Sequence, residues 1–105
     1  MSYWLVLMIA VVTEIIWALS LKYVQQHPSA WAIAGSLTLS LLNMSLLSYA
    51  MRGVPTGTAY AVWTGLGAIG VGIGGAIWFN DPLSLARIAC MGFIVIGVVG
   101  IKWCS

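Results

Sequence analysis

Four long apolar stretches occupy almost all of this chain and constrain its fold more than any other feature. Short segments that each contain a proline separate them, and they cover residues 3–22, 30–51, 58–79 and 85–103. Each is close to the ~20 residues that a helix needs to cross the ~30 Å hydrocarbon core of a bilayer. Lipid satisfies no backbone hydrogen bonds, so each stretch is predicted to be helical. The sequence therefore predicts an all-α membrane protein, with four transmembrane helices in a single domain.

The composition excludes several other classes of protein. Only 6% of the 105 residues are charged, whereas about a quarter are charged in a typical soluble domain. The net charge of +2 is too small to indicate nucleic acid as a partner. Cys90 and Cys104 match no metal-ligand or redox spacing, and we expect neither a metal nor a cofactor. The expected partner of the surface is the lipid bilayer.

The basic residues are balanced between the two sides of the membrane. Four antiparallel spans place Arg52 and Lys102 on one side, and Lys22 and Arg87 on the other. Orientation in a membrane follows the imbalance of Lys and Arg between the sides, and here there is none. The sequence therefore predicts a chain that inserts in both orientations.

A glutamate interrupts the first apolar stretch near its middle. Glu14 lies roughly 16 Å into the predicted helix at 1.5 Å per residue, where an acidic side chain costs on the order of 2.5–3.5 kcal/mol. The interior of the other spans contains no Lys, Arg or His to pair with it. Removal from water disfavours the charged form of a carboxyl group, so this one can exchange protons or pair with an incoming cation. Such a residue indicates a proton-coupled cation site.

Aromatic and polar side chains are spaced so that they can surround this carboxylate. Trp17 follows Glu14 by one helical turn, and Tyr60 and Trp63 share a face of the third span. Their rings offer π surfaces to a cation, and their N–H and O–H groups can orient a carboxylate.

A polar stripe runs along one face of the second span, formed by Ser36, Ser40 and Asn43. It is consistent either with hydrogen bonds between helices or with lining the site.

Glycines are concentrated in the third span. Gly70 and Gly74 form a G-x-x-x-G pair that permits close approach of another helix. Dense glycine also weakens a helix, by up to ~1 kcal/mol each relative to alanine. A bend at Gly65 or Gly67 is therefore expected to let the third helix reshape around a ligand.

Oligomerisation is expected because one four-helix bundle fills its own core with side chains and leaves little room for a cation path. We expect a homodimer that brings two copies of Glu14 together. With both orientations inserted, the dimer can be antiparallel. Exchange of conformation between its subunits would then open the site to the opposite side of the membrane, as inverted repeats do in other transporters.

These residues resemble the small multidrug resistance family of four-helix, proton-coupled cation exporters, and the resemblance covers the whole chain. It is carried by the glutamate of the first span and by G-T-A-Y-A-V-W-T-G at residues 57–65. E-x-x-W-A-x-x-L-K at residues 14–22 looks like the guanidinium-exporter subtype. The quaternary-ammonium subtype usually has glycine where Trp17 stands.

The resemblance implies that Glu14 binds the substrate and protons in competition, in the inner (plasma) membrane of the cell. It further implies that Tyr60 and Trp63 line the site and that Trp17 orients Glu14 through its indole N–H. Two residues depart from the guanidinium pattern, because Asn43 stands where serine is usual and Val11 where glycine is usual.

Two alternatives remain open on the sequence. One is a broader exporter of quaternary ammonium and other lipophilic cations, and the other is an accessory or structural membrane subunit that transports nothing. An enzyme is not expected, because the chain has a single intramembrane carboxylate and no nucleophile–base pair.

Overall fold

The protein consists of four long helices joined by short connections. The computed structural model describes residues 2–104, and no strand occurs among them. The helices are α1 (Tyr3–Gln26), α2 (Ala30–Ala50), α3 (Thr56–Trp78) and α4 (Leu85–Cys104). All four are long and apolar enough to cross a membrane. The prediction of an all-α, multi-pass membrane protein is thereby confirmed.

The observed helix ends differ from the predicted ones where local chemistry decides them. α1 continues to Gln26 rather than stopping at Lys22, because nothing before Pro28 opposes helical geometry. The residue before a proline is driven out of the α region, and His27 accordingly has φ −134° and ψ 63°. Ser29 then begins α2, since its hydroxyl accepts the N–H of Ala32 at 3.1 Å, as helix-capping serines do.

The buried core lies at one end of the three-helix unit formed by α1, α2 and α3. It joins the first half of α1, the end of α2 and the start of α3, and its members are Val6, Leu7, Ala10, Val11, Leu47, Ala50, Val54, Ala59, Val62 and Trp63. This end carries the N-terminus and the α2–α3 connection. Dense packing therefore closes the unit at that end and leaves room for a cavity towards the other.

The glycines of α3 allow helices to approach on two of its faces. A Cβ on Gly74 would lie 2.7 Å from Leu19 of α1, and one on Gly70 would collide with Ile15 of α1. On another face, a Cβ on Gly65 would lie 3.1 Å from both Ile94 and Val98 of α4. The close approach predicted for the Gly70–Gly74 pair is confirmed, with α1 as the partner.

α4 is attached to the outside of this unit. It packs along α3, and none of its described residues is buried. Lys102 lies 5.0 Å from the ring centroid of Trp4, which ties the end of α4 to the start of α1 through a cation–π contact. The glycines of α4 are surrounded by open space. Most of the surface of this helix therefore has no packing partner within the described chain.

Candidate functional site

The site is built around Glu14, which lies at the middle of α1. Eleven residues precede it in the helix Tyr3–Gln26 and twelve follow it, so the carboxylate is close to the centre of a helix long enough to span the membrane. Its side chain is partly buried. The core residues of α1 precede Glu14 along the helix. Gly67 of α3 faces the Glu14 side chain, and a Cβ on Gly67 would stand 3.0 Å from the Glu14 Cγ atom.

A chain of two hydrogen bonds connects the three core helices at this point. The indole N–H of Trp63 in α3 donates to Asn43 Oδ1 in α2 at 3.1 Å. The Asn43 amide N–H donates in turn to Glu14 Oε2 in α1, also at 3.1 Å. Asn43 is fully buried and Trp63 is 7% exposed. The relay therefore fixes the position of the carboxylate from both neighbouring helices.

The direction of this relay follows from the chemistry of its members. An indole N–H can only donate, so the oxygen of Asn43 must face Trp63 and its NH₂ group must face Glu14. Glu14 Oε2 is therefore an acceptor. Oε1 has no recorded hydrogen-bond partner among residues 2–104, and it is the oxygen left for a proton or a ligand.

A cavity of about 590 Å³ adjoins the carboxylate. It is lined by residues of all four helices and of the α3–α4 connection. These residues are Glu14, Trp17, Met44, Trp63, Thr64, Gly67, Ala68, Val71, Gly72, Asp81 and Arg87. The lining is mostly apolar or aromatic, with a few polar groups. Such a cavity can hold a small organic cation, with the charge on the carboxylate and the body against the aromatic and apolar side chains.

The three aromatic residues predicted for the site differ in whether they line the cavity and in whether they connect to Glu14. Trp17 lines the cavity, but no hydrogen bond joins its indole to Glu14 among the described residues. The indole that reaches the carboxylate through a relay is that of Trp63. Tyr60 packs against Trp63 with the two rings tilted and their centroids 5.4 Å apart, yet it is 54% exposed and lies outside the cavity lining.

The polar stripe of α2 makes hydrogen bonds between helices, and its role in lining a binding site stays a prediction because none of its residues lines the cavity. Asn43 contacts the site carboxylate, whereas the Ser36 hydroxyl lies 3.0 Å from the Ser20 hydroxyl of α1 and ties two helices together. Val11, the other departure from the family pattern, is 6% exposed within the core and is not a lining residue.

The glycines predicted to give α3 flexibility have packing partners in this structure. Gly67 faces Glu14, and Gly65 faces Ile94 and Val98 of α4. α3 is helical throughout Thr56–Trp78, so a bend at either glycine stays a prediction.

Sequence reasoning missed several residues of the cavity lining, among them Met44, Asp81 and Arg87. Met44 is adjacent to Asn43 in α2, and its position depends on the rotation of that helix. Asp81 could have been noticed, because it is the second of only two acidic residues in the chain. Arg87 lies in the first turn of α4, where the sequence indicated only a charge near a span end.

Comparison with known proteins gives matches that cover almost the whole chain. A family profile described as "Small Multidrug Resistance protein" matches residues 2–103. The chain is 39% identical over 102 residues to a protein named guanidinium exporter from Proteus vulgaris, covering 97% of this chain and 98% of the relative. A guanidinium exporter from Yersinia pestis is 44% identical over 104 residues, covering 97% of this chain and 98% of that relative.

Proposed function

Since the chain belongs to the small multidrug resistance family, we propose that it is an antiporter that exports guanidinium-type cations in exchange for protons. The observation that carries the proposal is the carboxylate of Glu14, which lies at the middle of a membrane-spanning helix beside a cavity lined by tryptophans. The names of relatives at 39% and 44% identity support the substrate class, and a transporter accounts for these residues better than an enzyme does.

Glu14 offers a guanidinium ion suitable contacts. The ion is planar with N–H groups along its edge, which suits paired hydrogen bonds to a carboxylate. Each carboxylate oxygen has about two lone-pair sites, so the bond from Asn43 to Oε2 leaves room for a second donor. Trp17 and Trp63 offer aromatic faces, each worth roughly 0.5–2 kcal/mol to a cation, depending on how dry the site is.

Proton coupling would follow if the substrate cation and the proton compete for the negative charge of the Glu14 carboxylate. Substrate and proton would occupy the same carboxylate, so we expect Glu14 to hold a proton when the substrate is absent and to release it when the substrate binds. The Asn43 N–H group holds Oε2 as an acceptor in both states. Oε1 therefore carries the exchanged proton.

The functional unit is an antiparallel homodimer in the inner membrane. Support comes from α4, which has no buried residue, and from Gly92, Gly97 and Gly100, around which there is open space. A second copy of the chain would cover this surface. The balance of Arg52 and Lys102 against Lys22 and Arg87 favours insertion in both orientations, and an antiparallel pair has two equivalent conformations open to opposite sides.

One observation favours a second substrate class. Met44, Ala68 and Val71 give the cavity an apolar surface that would accept a quaternary ammonium ion, which has no hydrogen-bond donors. Such a substrate would depend on charge and aromatic contact, and would gain nothing from the paired hydrogen bonds available to guanidinium. The two substrate classes are therefore separable by experiment.

The experiment is transport in proteoliposomes under an imposed proton gradient, with guanidinium and with tetraethylammonium. We expect proton-coupled transport of guanidinium by the wild-type protein and its loss in Glu14→Gln, which keeps the size of the side chain and removes the exchangeable charge. Ser40→Ala, a change at a residue with no recorded hydrogen bond, is the control and should transport normally.

Each other outcome excludes a specific part of the proposal. Guanidinium transport that survives in Glu14→Gln would refute the mechanism. Transport of tetraethylammonium alone would assign the protein to the second substrate class. Transport of neither cation by the folded wild-type dimer would favour an accessory or structural subunit.

A further inference from the structure

The cavity beside Glu14 contains charged groups that the proposed exchange does not use. The chain has only two acidic residues, and both of them, Glu14 and Asp81, line this one cavity. Arg87 lines it as well. Glu14 belongs to the middle of α1, whereas Asp81 and Arg87 belong to the α3–α4 connection and the start of α4. The cavity therefore extends from the central carboxylate towards this connection.

The backbone holds Asp81 over the end of α3. Asn80 has φ 57°, in the left-handed region that asparagine tolerates better than most residues, and this reverses the chain after the helix. The Asp81 N–H then donates to the carbonyl of Gly75 at 3.2 Å. A Cβ on Gly75 would lie 2.6 Å from Asp81 Oδ2, so the carboxylate can take this position only because residue 75 is glycine.

The guanidinium of Arg87 is held by the backbone instead of by this carboxylate. Its Nη1 donates to the carbonyl of Pro82 at 2.6 Å, and the Arg87 backbone N–H donates to the hydroxyl of Ser84 at 3.2 Å. No ion pair between Arg87 and Asp81 is recorded within residues 2–104. The Asp81 carboxylate thus remains available to another cation while a fixed positive charge lies in the same cavity.

We infer that Asp81 is an outer binding residue for the transported cation, between the aqueous phase and Glu14, and that Arg87 limits entry by repulsion. This inference rests on the proposed function and adds the residues that control access. A negative group that lines a cleft raises the local concentration of cations, and a positive group lowers it. The two residues should therefore have opposite effects on the same kinetic quantity.

The test measures initial rates of guanidinium transport in proteoliposomes at low ionic strength, over a range of substrate concentrations. Asp81→Asn should raise KM by about 3- to 10-fold, and Arg87→Gln should lower it by a similar factor. The double variant should return to near the wild-type KM. The rate at saturating substrate should change little in all three, because the central site is intact.

Two further measurements separate this role from a structural one. Raising the salt concentration should bring the KM values of the variants together, since exposed charges are screened over about 10 Å at 0.1 M salt. Gly75→Ala keeps the charge of Asp81 but displaces its carboxylate, and should raise KM as Asp81→Asn does. If both single variants shift KM in the same direction, or if the shifts are independent of salt, the inference is wrong.

Failure of this inference is distinguishable from failure of the proposed function. Glu14→Gln is measured in the same vesicles. If it transports guanidinium, the proposed function itself fails. If it is inactive while Asp81→Asn has the wild-type KM at low salt, the central exchange stands and the outer residue is refuted.

Discussion

Glycine-rich faces occur in both α3 and α4, but within residues 2–104 only those of α3 have packing partners. On α3, Gly67, Gly70 and Gly74 lie directly against side chains of α1. On α4, Gly92, Gly97 and Gly100 have no atom within 4 Å of the position a Cβ would take. Glycines of similar density therefore have packing partners on α3 and none on α4 within the described residues.

This difference divides the molecule into two parts with separate tasks. α1, α2 and α3 hold the carboxylate, the relay and the core, whereas α4 has no buried residue. The first part determines the geometry of the site. We propose that the second contacts another copy of the chain, where small residues would let two helices approach closely.

The largest expected effect comes from filling one glycine on each face with the same side chain. Gly70→Val adds an isopropyl group whose Cβ alone would collide with Ile15 of α1, and overpacking of this kind costs about 1–3 kcal/mol. Chemical denaturation in mixed micelles, followed by circular dichroism, should show this loss of stability. A Gly70→Val protein as stable as the wild type would mean that the α1–α3 contact is not tight.

Gly97→Val is the matched variant on α4. The position is open, so the dissociated chain should keep its stability to within about 0.5 kcal/mol. Self-association, measured by energy transfer between labelled copies at a series of lipid dilutions, should weaken. Unchanged association would show that this face of α4 is not the dimer interface.

Breaking the relay is expected to change ligand affinity rather than the packing between helices. Asn43→Ala removes both hydrogen bonds and leaves the buried indole N–H of Trp63 without its partner, at a cost of about 1–3 kcal/mol. We expect guanidinium affinity to fall roughly tenfold, which corresponds to about 1.4 kcal/mol, as measured by titration calorimetry. Ser40→Ala, one turn away on the same stripe of α2, should bind as the wild type does. Equal affinities for the two variants would remove Asn43 from the site.

The smallest effect is expected from moving the carboxylate without removing any of its partners. In Gly67→Ala the new methyl group would lie 3.0 Å from Glu14 Cγ, and the side chain must shift by a few tenths of an ångström. Guanidinium affinity should fall by about two- to fivefold, less than in Asn43→Ala. The control is Gly35→Ala in α2, where a Cβ meets nothing within 4 Å. A loss of affinity in the control as large as in Gly67→Ala would indicate a general effect of replacing glycine.

The sequence predicted those features that depend on the length of the apolar stretches, on the spacing of residues along a helix, and on the cost of burying a charged side chain. Four spans follow from apolar length, the central location of Glu14 follows from its place in the first span, and the partner face at Gly70 and Gly74 follows from their spacing. The position of Asn43 on the polar stripe of α2 was also evident.

Other features depend on helix rotation and on the backbone of a connection, which the pattern does not determine. Spacing along α1 puts Trp17 one turn from Glu14, but the rotation of α3 and α2 brings Trp63 and Asn43 into the relay instead. Asp81 enters the cavity because Asn80 adopts a left-handed conformation and Gly75 leaves space for the carboxylate. The spacing of hydrophobic residues predicts neither the conformation of Asn80 nor the space at Gly75.

The most direct test of the account is the release of protons when guanidinium binds to the purified protein. In weakly buffered detergent solution with a pH indicator, the wild type should release protons as guanidinium is added. Its apparent affinity should fall by up to about tenfold for each pH unit of acidification. Asp81→Asn should still release protons, and Glu14→Gln should release none. Binding that is independent of pH, or proton release that persists in Glu14→Gln, would contradict the claim that cation and proton compete for this carboxylate.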